Sequence, residues 1–268
     1  MAAARQRRAF GLWYRRAMAG RTFVVGDIHG DLDALRTVIA KLPLIDADDT
    51  VVFLGDYLDR GPHSMEVCRI VMALDHAIGC NVICLRGNHE DAWLRVRERR
   101  WDEFVFPPQN GCLAAYRSFT GGPPAQKDEL PKPEEMEALF SGAFFPPAIV
   151  SWMESLPIWY EDEHAIYVHA GLIEKDGVFQ HPKDTEPKIA LMWTRTEKFF
   201  TDYRGKTVVI GHTVTELLPQ ELSSHTPSDP TDMWVGEAII AIDTGAGKTN
   251  GFLTAVELPS RTVYTSRD

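Results

Sequence analysis

The sequence predicts an α/β fold, and three observations carry that reading. Short hydrophobic runs recur about every 30 residues in the first third of the chain, each followed at once by Gly and polar residues. Segments of helical periodicity separate them. The repeating strand–helix–strand order implies a parallel sheet with right-handed crossovers.

Thr22–Val25 is a β-branched run that delivers Gly26-Asp27-Ile28-His29-Gly30. Asp31–Lys41 reads as a helix, with Leu32, Leu35, Val38, Ile39 and Leu42 at helical spacing and Pro43 closing it. Val51–Leu54 is an unbroken apolar run, as in a strand covered on both faces, and it delivers Gly55-Asp56-Tyr57-Leu58-Asp59-Arg60-Gly61. Pro62 opens a second helix whose buried stripe is Met65, Cys68, Val71, Met72 and Leu74, with Gly79 at its end. Asn81–Leu85 is the third strand and delivers Gly87-Asn88-His89-Glu90.

Residues 101–147 are punctuated by prolines and glycines and read as a partly helical, cap-like insert in a single domain spanning 21–268. Ala148–Leu156 is a helix stopped before Pro157. Strands resume at Ala165–Val168, delivering His169-Ala170-Gly171, and at Thr207–Ile210, delivering Gly211-His212-Thr213. Ala238–Ile242, Gly251–Val256 and Arg261–Thr265 are expected as short antiparallel strands, and Pro219–Pro230 as a polar loop.

Every polar cluster follows a strand, where open α/β sheets place their ligands. Composition sets the outer limits. With 268 residues, 44% hydrophobic and 25% charged, the chain has ample material for a core. A net charge of −10 argues against nucleic acid as a partner. Residues 1–20 differ: Arg5, Arg7, Arg8, Arg15 and Arg16 give them +5 and leave −15 elsewhere. That segment reads first as a basic extension, with a contact arm for an acidic surface or a targeting segment as alternatives. No run approaches the ~18 apolar residues of a membrane span. Cys68, Cys80, Cys84 and Cys112 show no metal-binding spacing, so a reduced, cytoplasmic setting is expected.

Asp27 and His29 lie two apart in a Gly-bounded turn, so both can face one ion. Asp56 has two oxygens with which to bridge a pair, and Asn88, His169 and His212 can complete the second ion. Taken singly, an Asp before a helix is ordinarily a cap and a lone His is ordinarily just hydrogen-bonded. Six such residues at strand ends, each near Gly, make a common site. Oxygens and imidazoles together suit borderline divalent metals. Two metals about 3.5–4 Å apart are a standard device for hydrolysing phosphate esters.

The ordered set Gly-Asp-Ile-His-Gly, Gly-Asp-Tyr-Leu-Asp-Arg-Gly, Gly-Asn-His-Glu, His-Ala-Gly and Gly-His-Thr resembles the phosphoprotein phosphatase family of calcineurin-like metallophosphoesterases, in its compact bacterial and phage branch. Ile242-Asp243-Thr244-Gly245 resembles the family's C-terminal part. The resemblance implies a central two-sheet β-sandwich flanked by α-helices. It assigns Asp27, His29 and bridging Asp56 to one metal, and Asp56, Asn88, His169 and His212 to the other, drawn from Mn, Fe and Zn. A metal-bound hydroxide would then attack phosphorus in line, without a phosphoenzyme. It also implies that His89 is the general acid, held by Asp59, and that Arg60 and Arg195 clamp phosphate. The plainer readings are a turn cap or an Arg60 ion pair for Asp59, and an exposed helical Arg for Arg195.

Gly247-Lys248-Thr249 is no phosphate loop, because Ile242 stands where that motif needs Gly and a strand follows. Arg95, Arg97, Arg99 and Arg100 read as a solvated helix face, with a docking surface for an acidic partner second. Gly211-His212-Thr213-Val214 lacks the second His of nuclease relatives. Asp59 and Glu90 depart from the symmetrical diadenosine tetraphosphatases. The expected activity is therefore phosphomonoester hydrolysis on phosphoserine or phosphothreonine proteins, with phosphotyrosine and small phosphoesters also in range. The alternatives are diadenosine tetraphosphate hydrolysis and a non-catalytic phosphoprotein-binding role.

Overall fold

The computed structural model describes residues 20–77, 79–225 and 228–267. The basic segment expected over residues 1–20 therefore lies, but for Gly20, outside the described residues. Among the described residues the strands form two five-stranded sheets and one two-stranded hairpin. In the first, β1 (Thr22–Val25), β2 (Thr50–Phe53) and β3 (Asn81–Cys84) run parallel, while β11 (Thr254–Leu258) and β12 (Thr262–Thr265) add antiparallel strands at its other side. In the second, β4 (Trp159–Glu161) pairs antiparallel with β5 (Ile166–Val168), which runs parallel to β8 (Val208–Ile210). The sheet is completed by β9 (Trp234–Val235) and β10 (Ile239–Ala241). A separate hairpin, β6 (Glu174–Lys175) and β7 (Val178–Phe179), follows β5.

The period-2 rule explains the layering. In β1, Phe23 and Val25 join the core under the helices, while Val24 joins Val52, Tyr167, Val209, Ile240 and Val256 between the sheets. Ile166, Val168, Val208 and Ile210 cover the outer face of the second sheet. The result is a two-sheet sandwich flanked by helices.

Helix α1 (Leu32–Lys41) begins where the Asp31 side chain accepts the Ala34 N–H at 3.0 Å. Helix α2 (Ser64–Ala77) buries Ser64, Val67, Cys68 and Val71, whereas Met65, Met72 and Leu74 are half-buried. The stripe is thus rotated toward Val67 from the expected one, because fully buried Ser64 starts the helix and its Oγ accepts the Asp59 N–H at 3.0 Å. A second correction concerns β10, which pairs parallel with β8 and antiparallel only with β9.

Helix α3 (Asn88–Arg99) carries the basic run. Residues 101–147 contribute α4 (Asp102–Val105), α5 (Cys112–Thr120) and α6 (Pro133–Ser141), followed by α7 (Pro147–Ser155). They pack on α3 through rings: Phe104, Phe144 and Phe145 all meet Trp93 edge-on at 5.1–5.9 Å. The basic run is more tied down than a solvated face. Arg95 pairs with Asp91 at 2.8 Å, Arg97 donates to Gly142 O at 2.6 Å, and Arg100 reaches Asp102 and Glu137. All four cysteines are free thiols, and no helix among the described residues is long and apolar enough to cross a membrane.

Arg117 fastens the insert. Its buried guanidinium donates to both oxygens of Glu129 (2.9 and 2.7 Å) and of Glu135 (3.0 and 3.3 Å). The hydrogen bond from Arg117 holds the Glu129 carboxyl down at about 2, from an ordinary 4.5. A depressed carboxyl stabilises the fold above its ordinary range and loses that contribution as pH falls toward the folded value. Arg117→Met is expected to lower the urea midpoint at pH 7. The gap from the parent should narrow as pH is taken from about 4.5 toward 2. A gap independent of pH would assign the loss to packing alone.

Candidate metal centre

The strand registers converge the site. Val25, Phe53 and Cys84 lie side by side through the pairings β1–β2 and β2–β3, so Asp27, Asp56 and Asn88 leave the sheet at one edge. Ala241 pairs with Ile210 in the second sheet, bringing His212 and Asp243 out together, and Tyr167 pairs with Val209 upstream of His169. Asp27, His29, Asp56, Asn88, His89, His169 and His212 are all buried.

Hydrogen bonds fix the imidazole tautomers. His29 Nδ1–H donates to Leu58 O (2.8 Å) and His169 Nδ1–H donates to Leu54 O (2.9 Å). Burial keeps both rings neutral by pulling their pKa values below the ordinary His value, strongly for His29, with Arg60 adding to it there. His212 is also pulled well down, by burial and then by His169. Each Nε2 of His29 and His169 is therefore a bare lone pair.

Those lone pairs face other lone pairs. His29 Nε2 stands 3.3 Å from Asp56 Oδ2 and 3.9 Å from Asp27 Oδ2, and neither His29 Nε2 nor Asp27 Oδ1 has a hydrogen-bond partner. His169 Nε2 stands 2.9 Å from Asn88 Oδ1 and 3.4 Å from Asp56 Oδ1, while His212 Nδ1 lies 2.7 Å from the same Asn88 oxygen. Two acceptor clusters thus meet at Asp56, one on each of its oxygens. Acceptor against acceptor is repulsive unless a cation lies between, so the donor set fits two metal ions. Burial pushes the Asp27 carboxyl well up, with the charges of Asp243 and Asp56 adding to it. Asp56 is held low despite its burial, by His169 and His89.

Five residues here have left-handed backbone: His29, Asp56, Asp59, Arg60 and His212, with φ between 47° and 71°. Non-Gly residues rarely adopt it, and such strain persists only where the surroundings dictate it. Two glycines are required by close approach: a Cβ at Gly87 would overlap Asp56 Oδ1, and one at Gly211 would overlap Asp27 Oδ1.

The Asp59 carboxylate receives His89 Nδ1–H at 2.6 Å and the Trp93 indole N–H at 3.0 Å, and makes no ion pair with Arg60. His89 Nε2 is left facing the site, 3.8 Å from Asp56 Oδ2. Arg60 Nε and Nη1 are buried without partners. Arg195 is exposed in the loop between α8 (Ala190–Trp193) and α9 (Glu197–Asp202), so it is not helical. It faces the charges of Asp56, Asp243 and Asp27, with Nη2 3.5 Å from His212 O. Trp193 anchors its loop by donating to Asp91 at 2.9 Å.

Sequence reasoning missed three contributors. Trp93 gave no signal beyond its helical position. Asp243 follows a strand and precedes Gly245, the same cue that marked the others. Glu90 was read only as a difference from other relatives, yet its fully buried carboxylate accepts the N–H groups of Asp56 (2.9 Å), Tyr57 (2.9 Å) and Gly87 (3.0 Å). Burial and the Asp56 charge push its pKa up to about 8 against those bonds.

Residues 20–216 match the calcineurin-like phosphoesterase family. The chain belongs to that family of metallophosphoesterase hydrolases. Among curated relatives it is similar to the serine/threonine-protein phosphatase rdgC of Drosophila melanogaster, 38% identical over 81 residues, covering 30% of this chain and 12% of that protein. It is also similar to the symmetrical bis(5'-nucleosyl)-tetraphosphatase of Pectobacterium atrosepticum, 28% identical over 155 residues, covering 56% and 43%. The matched segments thus span less than half of either relative. In three dimensions it resembles a candidate diadenosine tetraphosphatase, with TM-score 0.53, 17% identity and coverage of 93% and 94%. At that identity the likeness speaks for the fold.

The Glu90 fastening is testable. An amide has one acceptor oxygen, so Glu90→Gln must turn its NH₂ toward at least one backbone N–H. The metal-free protein is expected to lose about 1–3 kcal/mol of stability. Mn affinity should fall about 10- to 100-fold, as for other partners behind metal ligands. Chemical denaturation and calorimetric Mn titration would show it; two unchanged values would remove Glu90 from the frame.

Proposed function

We propose that the chain is a dimetal-dependent phosphomonoesterase that removes phosphate from phosphoserine and phosphothreonine in proteins. Phosphotyrosine and small esters fall within its reach. Asp27, His29 and Asp56 would hold one ion, and Asp56, Asn88, His169 and His212 the other; Mn serves in vitro, with Fe or Zn as alternatives. Bound there, the ions acidify water and neutralise phosphoryl charge. Arg60 and Arg195 orient the phosphoryl oxygens. A cytoplasmic setting fits the four free thiols.

The Asp59–His89 pair carries the preference for monoesters. Asp59 accepts a hydrogen bond from His89 Nδ1–H at 2.6 Å, which orients Nε2 toward the site. From there His89 can hand a proton to the departing oxygen. A serine alkoxide is a poor leaving group and needs that proton. A nucleotide phosphate leaves readily and needs it little. The second reading, symmetrical dinucleotide tetraphosphate hydrolysis, is favoured by the long match to the Pectobacterium enzyme.

Metal-reconstituted protein is to be assayed side by side on phosphopeptides, phosphotyrosine and diadenosine tetraphosphate; turnover of the dinucleotide alone would reverse the two readings. Asp56→Asn should lower p-nitrophenyl phosphate hydrolysis on the order of a thousandfold, since both ions lose a shared ligand. Full turnover by that variant, or in excess chelator, would refute the dimetal reading. His89→Asn should slow phosphoserine esters by about 10²–10⁴ and the activated aryl ester far less. Equal losses on both would count against the acid role.

A further inference from the structure

A groove of about 360 Å³ runs from Arg60 between the insert and the loop after Asp243. The loop is seated on the site itself: a Cβ at Gly247 would stand 2.6 Å from His29 O and 3.2 Å from Arg60 Cβ. The next residue, Lys248, is held by a turn in which its N–H donates to Gly245 O at 3.0 Å. Its ammonium feels the charges of Arg60, Asp243, Asp27 and Glu216, and among the described residues neither Arg60 nor Lys248 has a carboxylate partner within 4 Å. Arg60 brings two buried N–H groups with no acceptor to the groove's inner end. Across it stand Lys127, Asp128 and Glu129, the last already committed to Arg117.

With Glu129 held by Arg117, the groove sets Arg60, Lys127 and Lys248 against the Asp128 carboxylate alone, a cationic balance in a chain of net charge −10. Its lining also contains no Phe, Tyr or Trp. A nucleobase ordinarily finds an aromatic or guanidinium platform to stack on; among the described lining residues the one guanidinium, Arg60, is the proposed clamp for phosphoryl oxygens at the metals, which leaves a base no platform and favours a peptide.

We propose that this groove is a second anion subsite in which Lys248, one step outward from the Arg60 clamp, takes a phosphoryl or carboxylate group carried on the substrate peptide beside the phosphoresidue being hydrolysed. The subsite rests on the protein-phosphatase reading and gives it a substrate class, acidic or multiply phosphorylated segments. It places Lys248, set aside in sequence as a false phosphate loop, where it determines specificity rather than cradling a nucleotide.

The test uses two phosphoserine peptides of equal length, one with neutral flanks and one with a second phosphoserine, on metal-reconstituted enzyme. The parent should prefer the doubly phosphorylated peptide about tenfold in kcat/KM, mainly through KM, and the preference should shrink at high salt. Lys248→Met should bring the ratio near one, and Lys248→Arg should keep it. No preference in the parent, or a preference intact in Lys248→Met, overturns the subsite while leaving the phosphatase reading standing. Turnover of diadenosine tetraphosphate without turnover of either peptide overturns both.

Discussion

Everything in this molecule turns on Asp56 and the acceptor atoms gathered about it. One oxygen faces His29 Nε2 and the other His169 Nε2, at 3.3 and 3.4 Å. Buried carboxylates and bare imidazole nitrogens in such proximity cost free energy that no internal hydrogen bond returns. The fold accepts the cost because each donor is tied from behind. Leu58 O and Leu54 O hold the two rings, and the backbone N–H groups of His89 and His212 hold Asp56 and Asp27. Cations between the clusters would convert the repulsion into ligation, and metal binding would then be linked to folding.

Holding the donors requires two things of the sheet. Parallel registers must bring several strand ends to one edge, and the turns beyond must bend more sharply than ordinary residues prefer. The left-handed φ values at Asp56, Asp59 and Arg60 show the second requirement met by non-Gly residues. Glu90 is the counterweight. Its carboxylate gathers the N–H groups of Asp56, Tyr57 and Gly87, fastening the end of β2 to the start of α3. The strain at the site is thus supported by a fully buried carboxyl group that faces backbone N–H groups.

The alternation of apolar strand and amphipathic helix was legible because each segment is nearly uniform in period. The strand boundaries differ by about one residue, as pairing ends before the hydrophobic run does. Local pattern could not reveal that β10 lies parallel to β8, because Val208 and Ile239 become neighbours only through tertiary pairing. The six donor positions were legible as a set, since each follows a strand. Trp93 was not: an indole in a helix looks like core, and only the folded structure shows its N–H on Asp59. Lys248 was legible only in part: Ile242 already ruled out a nucleotide loop, but only the fold shows Gly247 resting on His29 and Arg60 beside the site.

Charge distribution separates the chemistry from the choice of substrate. Arg60, Arg195 and Lys248 converge on the site from three separate loops, and none is paired with a carboxylate within 4 Å among the described residues. Most other arginines of the insert and α3 are spent on ion pairs or carbonyls, as Arg95, Arg97, Arg100 and Arg117 show. Cations gathered without carboxylate partners on one rim of an acidic protein raise the local potential there, which favours the approach of an anion. In the proposed reading Arg60 and Arg195 would serve any phosphoryl group at the metals, and Lys248, one step outward, would meet the rest of the substrate.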